Sequence, residues 1–368
     1  MMNLSINARN AGSDIMISWK WYLSDLSKIP QNGYKVFSCF SCGGGSTMGY
    51  KLAGFDVLGN VEIDEKINKI YVANHNPKYN YNMDIRDFNK LEKYPDELYD
   101  IDILDGSPPC TSFSMAGNRE ADWGKEKQFA EGGKLQTLDD LFFDFIRTAE
   151  ILKPKIIVAE NVTGLIKGNA KGYCNLIIQQ LKTIGYDVQM FLLNSATMGV
   201  PQSRERVFFI AKRNDLGVPN LILQFDEKPV KFGEVRSEKG VEVSSHRQEL
   251  LKHMRKTDKR LLDISMRIRN KYSQFNTRIV HDSDICYTVM TKGDFIRGYD
   301  KTEFSISDII NVSSFPQDYD FRVNASSGKP EHGVHKDSKV SFICGMSVPP
   351  LMMNRIAEQV KLQWLEKL

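Results

Sequence analysis

Long apolar runs are missing from the chain, and nowhere do apolar residues continue for the ~20 positions that a helix needs to cross a bilayer. Met1 to Ser13 also lacks a signal-peptide pattern, because Asn3, Asn7, Arg9 and Asn10 break it with polar groups. The expectation is a cytoplasmic protein without a membrane partner. Cysteine is sparse, with six in 368 residues: Cys39, Cys42, Cys110, Cys174, Cys286 and Cys344. That argues against a disulfide-framed scaffold. Cys39 and Cys42 have the spacing of half a zinc site, but no second pair of cysteines or histidines answers them, and no metal is expected. Charge of either sign is not in large excess, since the net is only +3. Composition is otherwise that of a soluble globular protein, with 41% hydrophobic and 26% charged residues. A chain of this length suits one large domain with a smaller lobe.

Residues 1–33 read as an N-terminal extension in which Trp19, Trp21 and Tyr22 suggest a short helix. From Tyr34 short apolar runs alternate with longer amphipathic ones. Tyr34 to Phe40 reads as a buried strand running into Gly43-Gly44-Gly45. Asp56 to Glu62 is a second strand, followed by a helix from Asp64 to about Asn74. Ile101 to Leu104, Lys155 to Ala159, Asp187 to Leu193 and Arg206 to Ala211 read as further strands, and Leu138 to Leu152 as a helix. Such alternation predicts an α/β fold, a parallel sheet covered by helices on both faces. The boundaries drawn are 34–212 for this domain, 213–283 for a distinct lobe, and 284–368 for the rest of that lobe and a C-terminal helix. That helix, Leu351 to Leu365, starts just after Pro349-Pro350.

Between Arg213 and Arg278 there are 15 Lys and Arg against nine Asp and Glu. A basic segment in a nearly neutral chain suits a polyanion partner. A solvated, helix-rich lobe is the plain alternative.

Four constellations carry possible chemistry. Gly43-Gly44-Gly45 after a strand, with Glu62 ending the next, suits an adenosine-containing cofactor: glycines let backbone approach the ligand, and the acid binds ribose hydroxyls. A tight turn without ligand would look the same. Ser107-Pro108-Pro109-Cys110 follows a strand on a loop that two prolines stiffen, so Cys110 is a candidate nucleophile, the alternative being a buried gap-filler. Glu160, in Ala159-Glu160-Asn161-Val162, is placed to share a proton with a ring nitrogen, or else to cap a helix. Arg204 and Arg206, in Gln202-Ser203-Arg204-Glu205-Arg206, suit phosphate or base edges, or a salt-bridged surface strand.

Taken in this order, these motifs resemble the DNA cytosine-C5 methyltransferase family, of the prokaryotic or phage type. Gly345-Met346-Ser347-Val348-Pro349-Pro350 looks like its closing motif. The resemblance covers Tyr34 to Arg213 closely and Asp284 to the end more loosely, with the basic segment where the family keeps its target-recognition region. It implies a Rossmann-like S-adenosylmethionine-dependent methyltransferase sheet with a smaller target-recognition lobe. The implied activity is methylation of C5 of a flipped cytosine in double-stranded DNA, with S-adenosylhomocysteine as the second product. Phe40, Gly43, Gly44, Gly45, Glu62, Ile63 and Pro109 would hold the cofactor, with Asp84 and Ile85 beside its adenine and Asp102 near its methionine end. Cys110 would be the nucleophile, Glu160 would face N3, Arg206 would bind the flipped base or its loop, and Arg204 would assist. The chain departs from the family pattern at Ser38, Cys42 and Met346, where aspartate, glycine and asparagine are usual, and lacks a Pro-Arg-Glu pattern before Phe315-Pro316. The chain is expected to be a monomer, and a partner restriction nuclease is compatible with the sequence but not inferable from it.

Three other readings compete. A transfer-RNA cytosine-C5 methyltransferase shares the motifs, but the basic insert favours duplex DNA. A nicotinamide-dependent oxidoreductase explains the glycine turn and Glu62 but leaves Cys110 idle. A catalytically dead DNA-binding regulator would have no use for Cys110 and Glu160.

Overall fold

The computed structural model describes residues 18–109, 126–127, 136–137, 141–167, 170–270, 272–273, 276–291, 294–322 and 338–368. Cys110 lies outside them. Two compact units divide the chain. The described residues of the larger fall within Leu26–Asn194, Glu205–Gln224 and Met353–Leu368; those of the smaller fall within Met1–Asp25, Ser195–Arg204 and Phe225–Met352.

In the larger unit the chain runs β1 (Lys35–Cys39), α1 (Gly45–Leu52), β2 (Asp56–Val61), α2 (Glu65–His75), β3 (Tyr79–Tyr81), α3 (Ile85–Phe88), β4 (Ile103–Gly106), α4 (Leu141–Leu152), β5 (Ile156–Val162), α5 (Ala170–Thr183), β6 (Tyr186–Asn194) and β7 (Glu205–Arg213). The seven strands form one sheet in the order β3-β2-β1-β4-β5-β7-β6. The first five are parallel, whereas β7 is antiparallel to both β5 and β6. Six of the seven strands thus run in the expected parallel direction, and β7 alone is reversed. Residues 195–204 contain no helix long enough for a crossover, so the chain must return antiparallel.

The apolar pattern explains the packing. β1, β4 and β5 are buried along nearly their whole length, as strands covered on both faces are. In α4 the residues Leu141, Phe142, Phe145, Ile146, Ala149 and Leu152 form one buried stripe. Phe145 lies directly on Gly106, where an added Cβ would meet its ring at 2.4 Å. The edge strand β6 is fastened to the later segment by Gln189, whose side chain donates to Leu221 O and accepts from Leu221 N. Gln363 and Trp364, at the end of the C-terminal helix, bond to Ile222 and Pro219 of that segment. That helix, Pro350–Gln363, starts one residue before the expected boundary.

The smaller unit contains the helices Ser245–Leu251, Leu261–Arg269 and Ile306–Val312, and among its described residues the strands pair two by two. Gln202–Ser203 pairs with Cys286–Tyr287. Residues 18–25 belong here. Trp21, 1% exposed, donates from Nε1 to Ser314 O at 2.9 Å, and its own carbonyl accepts from Gln317 N. No helix forms at Trp19 to Tyr22; the 3-10 turn is Leu23–Lys28.

Part of the basic excess is answered inside this unit. Arg236 pairs with Asp282, Arg247 with Glu303, Lys259 with Asp284, Arg260 with Asp263 and Arg267 with Asp258. Three of those acids come from beyond Arg278, outside the window in which charge was counted.

Candidate active site

The expected cofactor residues follow the carboxyl ends of adjacent strands, the edge where open α/β sheets bind ligands. Phe40 follows β1, Glu62 and Ile63 follow β2, Asp84 and Ile85 follow β3, and Pro109 follows β4. The turn after β1 bends sharply: Phe40, Cys42 and Gly44 all have positive φ, at 54°, 46° and 76°. Glycine is free there and cysteine strained, so Cys42 occupies a position that the backbone would give to glycine. At Gly44 no side chain fits, because an added Cβ would fall 2.2 Å from His75 Nε2.

His75, the last residue of α2, supports the turn from beneath. Its Nε2 lies 3.2 Å from Gly43 O, and since a carbonyl only accepts, Nε2 carries the hydrogen. Burial, with Lys51 nearby, lowers its pKa to about 3, so the ring is neutral. Nothing in the sequence singled out His75; only the length of α2 brings it there.

Glu62 ties the two turns together. Oε2 accepts from Cys42 N at 2.8 Å and Oε1 from Asp64 N at 2.9 Å. Burial raises its pKa against the lowering by these backbone donors. Each oxygen keeps a second lone pair for a ligand hydroxyl. Asp84 caps α3 by accepting from Arg86 N, while the Ile85 side chain is core, 2% exposed.

Asp102 is a correction. The strand begins at Ile103, so Asp102 precedes β4 at its amino end, away from the cofactor edge. There its carboxylate accepts from Lys35 N at 2.7 Å and pairs with Lys155 at 2.6 Å. It locks the start of the strand and has no place at the methionine end of a ligand.

Glu160 and Arg206 come together on neighbouring strands. Arg206 Nε stands 2.8 Å from Glu160 Oε1. The N–H is not aimed along that line, so the contact is an ion pair rather than a good hydrogen bond. Burial lowers the arginine pKa and Glu160 raises it. Arg204 departs from its expected assisting position. It is 1% exposed, belongs to the smaller unit, and donates to Val289 O at 3.2 Å and Gly345 O at 2.9 Å. The structure gives it the work of joining three backbone segments.

Asn161 went unread in the sequence although it lies inside a quoted motif. Its Nδ2 donates to Pro108 O at 3.2 Å, and its Oδ1 accepts from Val162 N. The loop that leads into Cys110 is thus fastened to the strand that carries Glu160. Asp105 was also passed over, although an acid inside an apolar strand is itself a signal.

A family model described as C-5 cytosine-specific DNA methylase matches residues 34–362. The chain is 34% identical over 200 residues to the type II methyltransferase M.NgoPII of Neisseria gonorrhoeae, covering 53% of each protein. It is 25% identical over 386 residues to M.DdeI of Desulfomicrobium norvegicum, covering 88% of each. The chain spans about half the length of M.NgoPII and of the similarly matched M.FnuDI of Fusobacterium nucleatum. Among solved structures, DNMT2 of Spodoptera frugiperda superposes with a TM-score of 0.60 at 17% identity, over 89% of this chain and 99% of that one. Likeness at that identity speaks for the fold alone.

Proposed function

The chain belongs to the C-5 cytosine-specific DNA methylase family, and on that premise we propose that it transfers a methyl group from S-adenosylmethionine to C5 of cytosine in duplex DNA, with Cys110 as nucleophile. The supporting observation is the Asn161–Pro108 bond: it fastens Pro108, two residues before Cys110 in the sequence, to the strand that presents Glu160.

The residues at the sheet edge fit S-adenosylmethionine. Glu62 offers acceptors for the ribose hydroxyls, the glycine turn admits close approach at the start of α1, and Phe40 is a half-buried aromatic beside it. When bound, the sulfonium supplies an electrophilic methyl group. Cytosine C5 is a poor nucleophile, so the protein must first raise its electron density. The Cys110 thiolate would add to C6, which breaks the ring's aromaticity and makes C5 enamine-like. Glu160 would hold a proton or hydrogen bond at N3, where negative charge collects on addition. Arg206, paired to Glu160, would orient that carboxylate and reach the base. Once C5 carries the methyl group, a base removes the C5 proton and the thiolate leaves from C6.

The target must leave the duplex, at a cost of a few kcal/mol. The smaller unit, which takes in residues 225–283 of the basic segment, would supply the offsetting DNA contacts. A duplex with 5-fluorocytosine at the target position tests the reading, because fluorine cannot leave as a proton and the adduct persists. A covalent complex at Cys110, absent in Cys110→Ser, is expected. No adduct, or substantial methylation by Cys110→Ser, overturns covalent catalysis. Labelled methyl groups on RNA but not on matched DNA would overturn the substrate.

A further inference from the structure

One buried acid beside the cofactor turn has no part in that reaction. Asp105 lies in β4 and is 2% exposed. Its direct partner across β1 is Ser38, whose hydroxyl donates to Asp105 Oδ2 at 2.9 Å. The Tyr50 hydroxyl, from α1, donates to Oδ1 at 3.4 Å. Three elements meet at this carboxylate: the strand that leads into the glycine turn, the helix that leaves it, and the strand that leads to Ser107-Pro108-Pro109. Among the described residues no Lys, Arg or His pairs with it.

Burying a carboxylate without a counter-ion is costly, and two neutral hydroxyl donors do not cancel its charge. The charge therefore calls for a cation, and the family's cofactor is one. S-adenosylmethionine and its product differ only in a methyl group and the positive charge on sulfur; their amino and carboxylate groups are the same. We propose that Asp105 is a specificity-determining residue whose buried negative charge makes the site prefer S-adenosylmethionine over the neutral thioether S-adenosylhomocysteine. This rests on assigning the Gly43–Gly45 turn to that cofactor.

The preference is linked to protons. Burial pushes the Asp105 carboxyl up to about 7, Glu160 adds to the rise, and the Ser38, Tyr50 and Ser46 hydroxyls oppose it. The titratable groups around it are Glu160 from β5, Tyr50 from α1, Tyr71 from α2 and Cys39 from β1. Burial raises the last three, which stay neutral near pH 7, and Glu160 is paired with Arg206. Asp105 itself changes charge near neutrality. A bound cation draws the proton off and a neutral ligand does not, so the affinity ratio should grow with pH by up to about tenfold between pH 6 and 8.

Isothermal titration of the full chain with each ligand at pH 6, 7 and 8 tests this, in two buffers of different protonation enthalpy. S-adenosylmethionine should bind with proton release at pH 6, and its advantage should rise several-fold by pH 8. In Asp105→Asn the ratio should be smaller and flat with pH. Exchanging the partners, Ser38→Asp with Asp105→Ser, should restore the slope, because the acid returns to the same pair of positions. A pH-independent ratio in the unaltered protein, or an unchanged slope in Asp105→Asn, overturns the inference while leaving the cofactor assignment intact. Failure of both ligands to bind at any pH overturns both.

Discussion

Arg206 and Glu160 sit diagonally across the β5–β7 ladder, Arg206 opposite Val162 and Glu160 opposite Phe208, so their side chains share one face of the sheet. Their side chains are only 13% and 9% exposed. Removing either strands a charge in a poorly solvated place.

Glu160→Gln and Arg206→Met should each cost about 2–4 kcal/mol of stability. The double variant should cost less than the sum by about 1–3 kcal/mol. Urea denaturation of the three variants measures this, and strictly additive losses would show that the pair does not couple. Under the proposed chemistry Glu160→Gln should also slow methyl transfer by about 100-fold or more.

Arg204 should behave differently from Arg206. Its two carbonyl partners, Val289 and Gly345, are both in the smaller unit. Arg204→Ala leaves these buried acceptors unsatisfied and should destabilise the protein by about 3 kcal/mol. Thermal unfolding followed by circular dichroism would report it. A large loss of turnover with an unchanged melting temperature would contradict a structural role.

Gly106 has no room for a methyl group beneath Phe145. Gly106→Ala should cost about 1–3 kcal/mol by overpacking. Pairing it with Phe145→Leu should recover part of the loss, as denaturant midpoints would reveal.

Asp105 should leave a mark on stability as well as on binding. Its folded pKa of about 7 lies above the unfolded value of about 4. Below pH 4 both states hold the proton and the group costs nothing. Between pH 4 and 7 only the unfolded chain releases it, and stability falls by about 1.4 kcal/mol per unit of pH before levelling above pH 7. Asp105→Asn cannot titrate, so its melting temperature should gain on that of the unaltered protein between pH 5 and 7. A constant difference across that range would be inconsistent with the raised pKa.

The sequence patterns located most of the larger unit because its central strands β1, β4 and β5 are buried on both faces and so read as apolar runs. β3 was invisible for the opposite reason: Tyr79–Tyr81 has three residues and no apolar run. Asp102 was assigned to the methionine end by the resemblance and not by its place in the strand. The apolar run at Ile101 to Leu104 suggested a strand ending beside the prolines, whereas the paired residues begin at Ile103 and continue through Gly106. With either boundary Asp102 lies at the amino end of the strand, the edge away from the glycine turn. The contrast between Arg204 and Arg206 was equally hidden, since two residues of separation imply a common face only while both stay in one strand. Arg204 lies between the pairing of Gln202–Ser203 and the start of β7. His75 and Asn161 act through contacts distant in sequence, and no local spacing encodes those.

The chain passes from one unit to the other five times, after Asp25, Asn194, Arg204, Gln224 and Met352. No single cut can therefore separate the two units as continuous polypeptides. A fragment spanning residues 225–352 would lack Trp21, and the Ser314 carbonyl that it caps would be left without its donor. Recombination that exchanges this unit between relatives must replace an interior segment in register and keep a residue some 290 positions upstream that can still fill the same place.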